Sequence, residues 1–297
     1  MRIFLTGCSS RLARAVLPLL CQNVEVNSVF GIDKMPCSYV HEKFSCTAMD
    51  ISSPELRATM NGMDAVVHLA FGVMRGAMSD EELFDNNVRG TLNVFYNASR
   101  CGIEKIVNIS SVSVYGSGLD LDESTPFNPA HAFAYAKHKA EIERVAAKRH
   151  PNIIHLRSHL VFGKHCHDFL KNMVNARLYI APPAPHPVTQ VIHEQDVARA
   201  IELALARDVQ GAFNLAAPQI TSLPDLVRRG RRFICPLPLG VAKKAVAIAK
   251  LFGNRDEFTW LDVLGTSLTV RCDRANEYLG WYPQYSAWEA REEMIVV

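Results

Sequence analysis

Short apolar runs alternate with longer segments of helical periodicity through the first two-thirds of the chain, and this alternation constrains the fold more than any other feature. RIFLTG is followed by RLARAVLPLLC, then VNSVFGID, FSCTAMDI, DAVVHLAF, a long helix and KIVNISS. Strands separated by helix-length segments predict βαβ units and a parallel sheet. Ser79 opens the long helix with Glu82 three residues on, a capping box, and Gly102 supplies its stop. A second helix, from about Ala134 to Lys148, precedes Pro151 and the strand NIIHLR, which continues the alternation. From about Lys164 the pattern breaks into HCHDFLKNM, a proline cluster APPAPHP, the short strand VIH, the helix DVARAIELALA and FNLAAP. The expected fold is α/β: a Rossmann-type doubly wound parallel sheet over residues 1–163, with a smaller C-terminal substrate-binding lobe over 164–297. That lobe interleaves with the last elements of the core and covers the carboxyl edge of the sheet, where ligands bind in such folds.

Composition narrows the class of function. A chain of 297 residues, 48% hydrophobic, can bury a large core, and a net charge of +2 from 32 basic and 30 acidic residues creates no global field. Neither nucleic acid nor a membrane is expected as a partner. Met1 and Arg2 lead directly into the first strand with nothing that reads as a signal peptide, so a cytoplasmic location is expected. The eight cysteines (Cys8, Cys21, Cys37, Cys46, Cys101, Cys166, Cys235 and Cys272) are scattered and show no C-x-x-C pair. They read as buried thiols in a reducing compartment rather than as disulfides or a metal site. His165-Cys166-His167 lacks a second cluster to complete a tetrahedral ligand set.

The loop after the first strand, TGCSSRLA, opens like a dinucleotide-binding turn with a single glycine. Gly7 meets the need for a tight turn, and Ala13 is an accepted replacement for the third glycine, where helix packs on strand. Ser10 stands where the second glycine would let backbone approach a pyrophosphate. Its Cβ intrudes, yet its hydroxyl can donate to a phosphate oxygen while the helix N-terminus offers free N–H groups. Arg11 can add a charge-assisted contact. Asp33 ends the second strand in VFGID, where a carboxylate takes the ribose hydroxyls of NAD and repels the extra phosphate of NADP. Lys34, next in sequence, would soften that preference. NAD is the expected cofactor, NADP the less favoured one.

Tyr and Lys four apart on a helix share a face, so an ammonium can lower the pKa of a phenol and fit it for acid–base work. The spacing occurs twice, in YVHEK (Tyr39, Lys43) and YAKHK (Tyr135, Lys139). Tyr39 follows Asp33 closely and is expected near the adenosine end of a cofactor. Tyr135 opens the helix after KIVNISS and can meet Ser111 at that strand's carboxyl end, toward the nicotinamide.

At this point the chain resembles the extended short-chain dehydrogenase/reductase superfamily, in its NAD-dependent epimerase/dehydratase branch, nearly from end to end. TGCSSRLA is similar to the T-G-x-x-G-x-x-G loop, MDI to the adenine-side D-[IL], and VVHLAF to the fourth strand. NVRGTLNV, SSVSVYG, YAKHKAE, LRSHLVFG, VIHEQDVARAI, FNLAAP and LGWYP follow in family order. The resemblance implies Tyr135 as catalytic acid/base, Lys139 as its pKa partner and ribose anchor, and Ser111 as hydrogen-bond donor to the reacting oxygen. It implies a cofactor lined by Gly7, Ser10, Arg11 and Leu12, by Asp33, Asp50 and Ile51, and by Leu69, Ala70, Phe71 and His159. It also implies a homodimer through the helices after Ser79 and Tyr135.

Departures from the family pattern bear on the substrate. Where sugar-nucleotide enzymes of the family carry Arg-Pro-x-Asn, this chain has Arg157-Ser158-His159-Leu160, and Leu160 cannot donate a hydrogen bond. Val112-Ser113 replaces the Asp-Glu of the dehydratase branch, which argues against a 4,6-dehydratase. Arg228, Arg229, Arg231 and Arg232 read as a solvated helix end sooner than a diphosphate site, and VAKKAVAIAKLF as a cover for the pocket sooner than a membrane-facing helix. The expected activity is hydride transfer between a secondary alcohol, such as that of a nucleotide sugar in a 4-epimerase reaction, and nicotinamide. The alternatives are a reductase or dehydrogenase of a hydrophobic alcohol or ketone, and a non-catalytic cofactor-binding sensor.

Overall fold

The computed structural model describes residues 1–295 other than 75, 77, 131, 132, 176, 182, 231, 232, 239, 240 and 242–264. Seven parallel strands form the main sheet: β1 (Arg2–Thr6), β2 (Ser28–Asp33), β3 (Phe44–Ala48), β4 (Ala65–His68), β5 (Lys105–Ser111), β7 (Ile154–Ser158) and β11 (Gly211–Leu215), in the order β11-β7-β5-β4-β1-β2-β3. Between β1 and β4 the winding direction reverses, and their outgoing loops diverge to leave a crevice at the carboxyl edge.

Period-two alternation sends neighbouring residues of each strand to opposite faces. Ile3 and Leu5 of β1, with Ala65 and Val67 of β4, join the core against helices α1 (Ala13–Gln22) and α7 (Glu194–Ala206). Phe4 and Val66 join the other core, against α2 (Leu56–Met60), α4 (Gly90–Arg100) and α5 (Ala134–Arg149). Pro18 lies inside α1 and withholds a donor from the carbonyl of exposed Arg14, which water can satisfy.

The capping box is present at Ser79 and Glu82, where α3 (Asp80–Phe84) begins, and Gly102 closes α4 in the left-handed region at φ +73°. Between α3 and α4 the sequence pattern did not foretell a π-helical turn at Asp85–Arg89, which carries the buried Asn87. Such turns often occur at functional sites.

Among the described residues, the other strands form three parallel pairs, accompanied by three further α-helices, a 3-10 turn at Val112–Tyr115 and a second π-helical turn at Ala275–Leu279. β8 (Leu160–Phe162) pairs with β10 (Val191–His193), β9 (Leu178–Ala181) with β12 (Phe233–Pro236), and β6 (Gly118–Leu121) with β13 (Leu268–Val270). Helices α6 (Asp168–Asn175), α8 (Leu223–Arg229) and α9 (Ala287–Glu292) share a separate apolar cluster that includes Phe162, Leu170, Leu226 and Met294. No helix among the described residues is long and apolar enough to cross a membrane.

Two expectations change. Not every cysteine is buried: Cys46 and Cys235 are exposed, because β3 is the sheet's edge strand and β12 belongs to a two-stranded ribbon. YVHEK is not helical, so its spacing puts no ammonium beside a phenol. Tyr39 instead packs on Phe44 and lies beside Cys21 near the C-terminal end of α1, away from the carboxyl edge, while the Lys43 ammonium donates to the Asn23 carbonyl at 2.9 Å. Arg228 pairs with Asp225 at 3.0 Å and Arg229 lies over the Trp288 ring, which fits a helix end. Arg231, Arg232 and nearly all of VAKKAVAIAKLF lie outside the described residues.

Candidate active site

At the crevice, Gly7 is left-handed at φ +74°, and a Cβ there would lie 2.5 Å from the Ala70 nitrogen. Conformation and space both demand glycine. Ser10 turns inward as a cap: its Oγ accepts from the Ala13 N–H at 3.3 Å, leaving the hydroxyl proton able to donate outward. The backbone N–H groups of Arg11 and Leu12 find no acceptor among the described residues. These donors, at the positive end of α1, suit an anion.

Asp33 closes this corner, accepting from the Ser9 N–H and the Met35 N–H, each at 3.0 Å. It faces a cavity of about 340 Å³ with Gly7, Ser10, Ile51, Ala70 and Phe71. Asp50 turns elsewhere, onto the Lys34 ammonium at 2.7 Å and the Ser52 N–H at 2.8 Å, so Lys34 is held by a carboxylate rather than offered to a phosphate. The Arg11 guanidinium pairs with Asp168 and donates to the Cys166 carbonyl, which turns it away from the loop it was expected to serve.

Ser10→Gly removes the intruding Cβ and costs only a few tenths of a kcal/mol as a cap replacement. Calorimetric titration is expected to show NAD(H) affinity equal to or better than that of the parent. A clear loss would make the Ser10 hydroxyl a phosphate ligand.

A larger cleft, about 490 Å³, lies alongside and shares Ser10 and Phe71 with the first cavity. Ser111, Tyr135, Lys139 and His159 line it. Ser111 ends β5 and lines the cleft together with the Tyr135 phenol. Burial pushes the phenol's pKa up to about 12, with the Ser111 side chain opposing the shift. The Lys139 ammonium sits one helical turn on. It donates to the Ile109 carbonyl at 2.6 Å and lies 3.5 Å from the centre of the Phe71 ring. Burial brings its pKa down to about 7, opposed by Glu143. Desolvation governs both groups, and the Lys139 ammonium is engaged by the Ile109 carbonyl rather than set against the phenol.

A buried polar cluster supports this face of α5. Glu143, a further turn beyond Lys139, takes a bidentate pair from Arg157, with Nη2–Oε2 at 2.6 Å, and accepts the Ser110 hydroxyl at 2.5 Å. Burial opposes the Glu143 charge, yet His155, Arg157 and Ser110 hold its carboxyl below the usual range. Arg157 also donates to the Tyr115 hydroxyl at 2.6 Å, which in turn donates to the Asn214 Oδ1 at 2.8 Å.

His159 has both ring nitrogens committed to backbone. Nδ1 accepts from the Leu160 N–H at 2.9 Å, which leaves Nε2–H to donate to the Leu268 carbonyl at 3.1 Å. Burial lowers its pKa to about 4, so it lines the cleft as a neutral ring.

The motif survey assigned no role to three further groups. Asn87 clamps the β4 loop, accepting from the Gly72 N–H at 2.7 Å and donating to the Gly72 carbonyl at 2.9 Å; NVRGT was its signal. Ser113 donates to the Ser111 oxygen at 2.9 Å, orienting it. His165 and the buried Glu194 face the same cleft, paired at 2.8 Å, and no spacing in the sequence joins them.

Residues 3–216 match the NAD dependent epimerase/dehydratase family. The chain belongs to that family. An uncharacterized protein of Mycobacterium tuberculosis is 25% identical over 318 residues, covering 98% of this chain and 82% of its own length. The fold recurs in many solved structures, of which two illustrate the likeness. MoeE5 in complex with UDP-glucuronic acid and NAD superposes with a TM-score of 0.78 at 20% identity, covering 99% of this chain and 97% of the other. The UDP-glucose 4-epimerase of Thermotoga maritima with UDP-glucose has a TM-score of 0.76 at 17% identity, covering 99% and 97%.

Proposed function

We propose that this epimerase/dehydratase-family protein is an NAD-dependent oxidoreductase that moves hydride between a secondary alcohol and nicotinamide. One observation carries the reading: the Ser111–Tyr135–Lys139 constellation lies in a cleft that shares Ser10 and Phe71 with the cavity walled by Gly7 and Asp33. A dinucleotide laid across both would have its diphosphate near the Arg11 and Leu12 N–H groups. The nicotinamide, when bound, supplies the hydride acceptor or donor.

Ser111 holds the reacting oxygen by a hydrogen bond, and Tyr135 exchanges a proton with it. A phenol with a pKa near 12 is protonated at neutral pH, which suits donation to a ketone oxygen. Taking a proton from an alcohol requires positive charge nearby, and Lys139 is placed to provide it while reaching the ribose. Mass spectrometry of gently purified protein tests the reading, joined to a screen of alcohols, ketones and sugar nucleotides by nicotinamide absorbance. Retained NAD favours an epimerase, which recycles its cofactor, whereas protein that neither binds nor turns over nicotinamide would overturn the proposal.

A second reading, a reductase or dehydrogenase of a hydrophobic alcohol, has its own support in the cleft wall, where Leu69, Val73, Met74, Leu160, Leu170 and Leu223 stand together. Turnover confined to apolar ketones would select it.

Cofactor choice rests on Asp33. NAD(H) is expected to bind more tightly than NADP(H) by at least tenfold, which corresponds to ~1.4 kcal/mol. Asp33→Asn should erase most of that difference by removing the charge while keeping an acceptor for the loop N–H groups. Equal affinities in the parent protein would show that Asp33 does not read the ribose.

A further inference from the structure

Three cysteines far apart in sequence meet beside the dinucleotide loop. The sulfur atoms of Cys8, Cys37 and Cys46 all lie within 4.8 Å of one another. Cys8 follows Gly7 at the end of β1. Cys46 lies on β3 in register with Gly31 of β2, the strand between them. Gly31 makes the meeting possible, because a Cβ there would fall 2.8 Å from the Cys8 Cβ and 3.0 Å from its sulfur. Cys37 completes the triangle from the loop after β2, its thiol donating to the Cys8 carbonyl at 3.2 Å.

We propose that Cys8, Cys37 and Cys46 form a binding site for a thiophilic divalent cation of the Zn(II) class, with water as the fourth ligand. Three sulfurs converging on one point match the needs of a tetrahedral d¹⁰ ion, whose Zn–S bonds are ~2.3 Å. A disulfide would need only two and would strand the third. Burial grades from Cys8, enclosed in the core, to Cys46, exposed on the edge strand, so the open position faces solvent. As each sulfur–metal bond forms, the thiol proton passes to solvent and no electrons are exchanged. The ion would tie β1, the loop after β2 and β3 together immediately behind Gly7.

The test uses reduced, metal-free full-length protein titrated with Co(II), then with Zn(II), and it reads the metal rather than catalysis. One equivalent of Co(II) is expected to produce thiolate-to-cobalt charge-transfer absorption that Zn(II) abolishes, and Zn(II) is expected to raise the thermal unfolding midpoint. Cys46→Ser and Cys37→Ser should each lose the band. Cys46 is exposed, so its variant tests ligation without endangering the fold. Cys101→Ser, at a thiol that contacts the Arg57 carbonyl, should keep the band. Absence of the band in the parent, or its persistence in Cys46→Ser, would overturn the site. So would a disulfide among the three in freshly purified protein, detected by alkylation and intact mass, because it would identify a redox pair instead.

Discussion

Tyr135→Phe is expected to abolish turnover while leaving NAD(H) binding nearly intact. In the proposed reaction the phenol exchanges a proton with a substrate oxygen held by Ser111, and loss of such a group typically costs 10²- to 10⁴-fold in rate. The ring itself stays, stacked edge-on with Phe71 at 5.3 Å between centroids, so the cleft wall should be unaltered. Tyr39→Phe is the matched control: it removes the same atom from a phenol that packs against α1 away from the cleft, and activity should be nearly that of the parent. Under the proposed function, Lys139→Met should damage turnover and cofactor binding together, because the ammonium would supply positive charge beside the phenol and reach the ribose. Near-parental turnover by Tyr135→Phe, once an activity is in hand, would remove α5 from the chemistry. A protein that binds NAD but never turns over would make the sensor reading the leading one.

The largest expected effect on stability is at the Glu143–Arg157 pair. Removing one partner of a buried ion pair leaves an uncompensated charge and typically costs about 3–5 kcal/mol. Glu143→Ala strands Arg157, whose remaining partners are the Tyr115 hydroxyl and the Glu123 carbonyl. Arg157→Leu strands a carboxylate that keeps only the Ser110 hydroxyl among its direct donors. Urea unfolding should show either loss, and the double replacement by apolar residues should recover part of it. The pH dependence has a definite sign. The carboxyl of Glu143 is held below its usual range when folded, so its contribution is present above the unfolded value and fades as pH falls through the folded one. Parent and Glu143→Ala should therefore converge in acid. A cost under about 1 kcal/mol for both single variants would show the pair to be solvated, as surface pairs are.

The Glu143–Arg157 pair also marks where local reading of the chain stops. YAKHKAEIE places Tyr135, Lys139 and Glu143 on one face of a helix through spacing alone, and α5 has that face. That Glu143 meets Arg157 depends on β5 and β7 lying side by side, and no spacing within α5 reports it. Ser10 is a similar case. Its type and position announced a departure from the glycine pattern, whereas its use as a helix cap emerged only from the direction in which the loop turns. The loop by itself offers Arg11 to a phosphate, but Asp168, 157 positions along, claims it.

What the amino-acid order determined by itself is local and periodic: the alternation of strand and helix, the capping box at Ser79 and Glu82, the stop at Gly102, and the placing of Tyr135 after Ser111. These follow from backbone preferences and side-chain repeats acting over a few residues. The tertiary structure alone decided which distant groups meet and how far each is withdrawn from water. Cys8, Cys37 and Cys46 converge because parallel strands stack with Gly31 between them. The Tyr135 phenol rises and the Lys139 ammonium falls in pKa because burial, a sum over every neighbour the fold supplies, outweighs the single partner that sequence spacing can name.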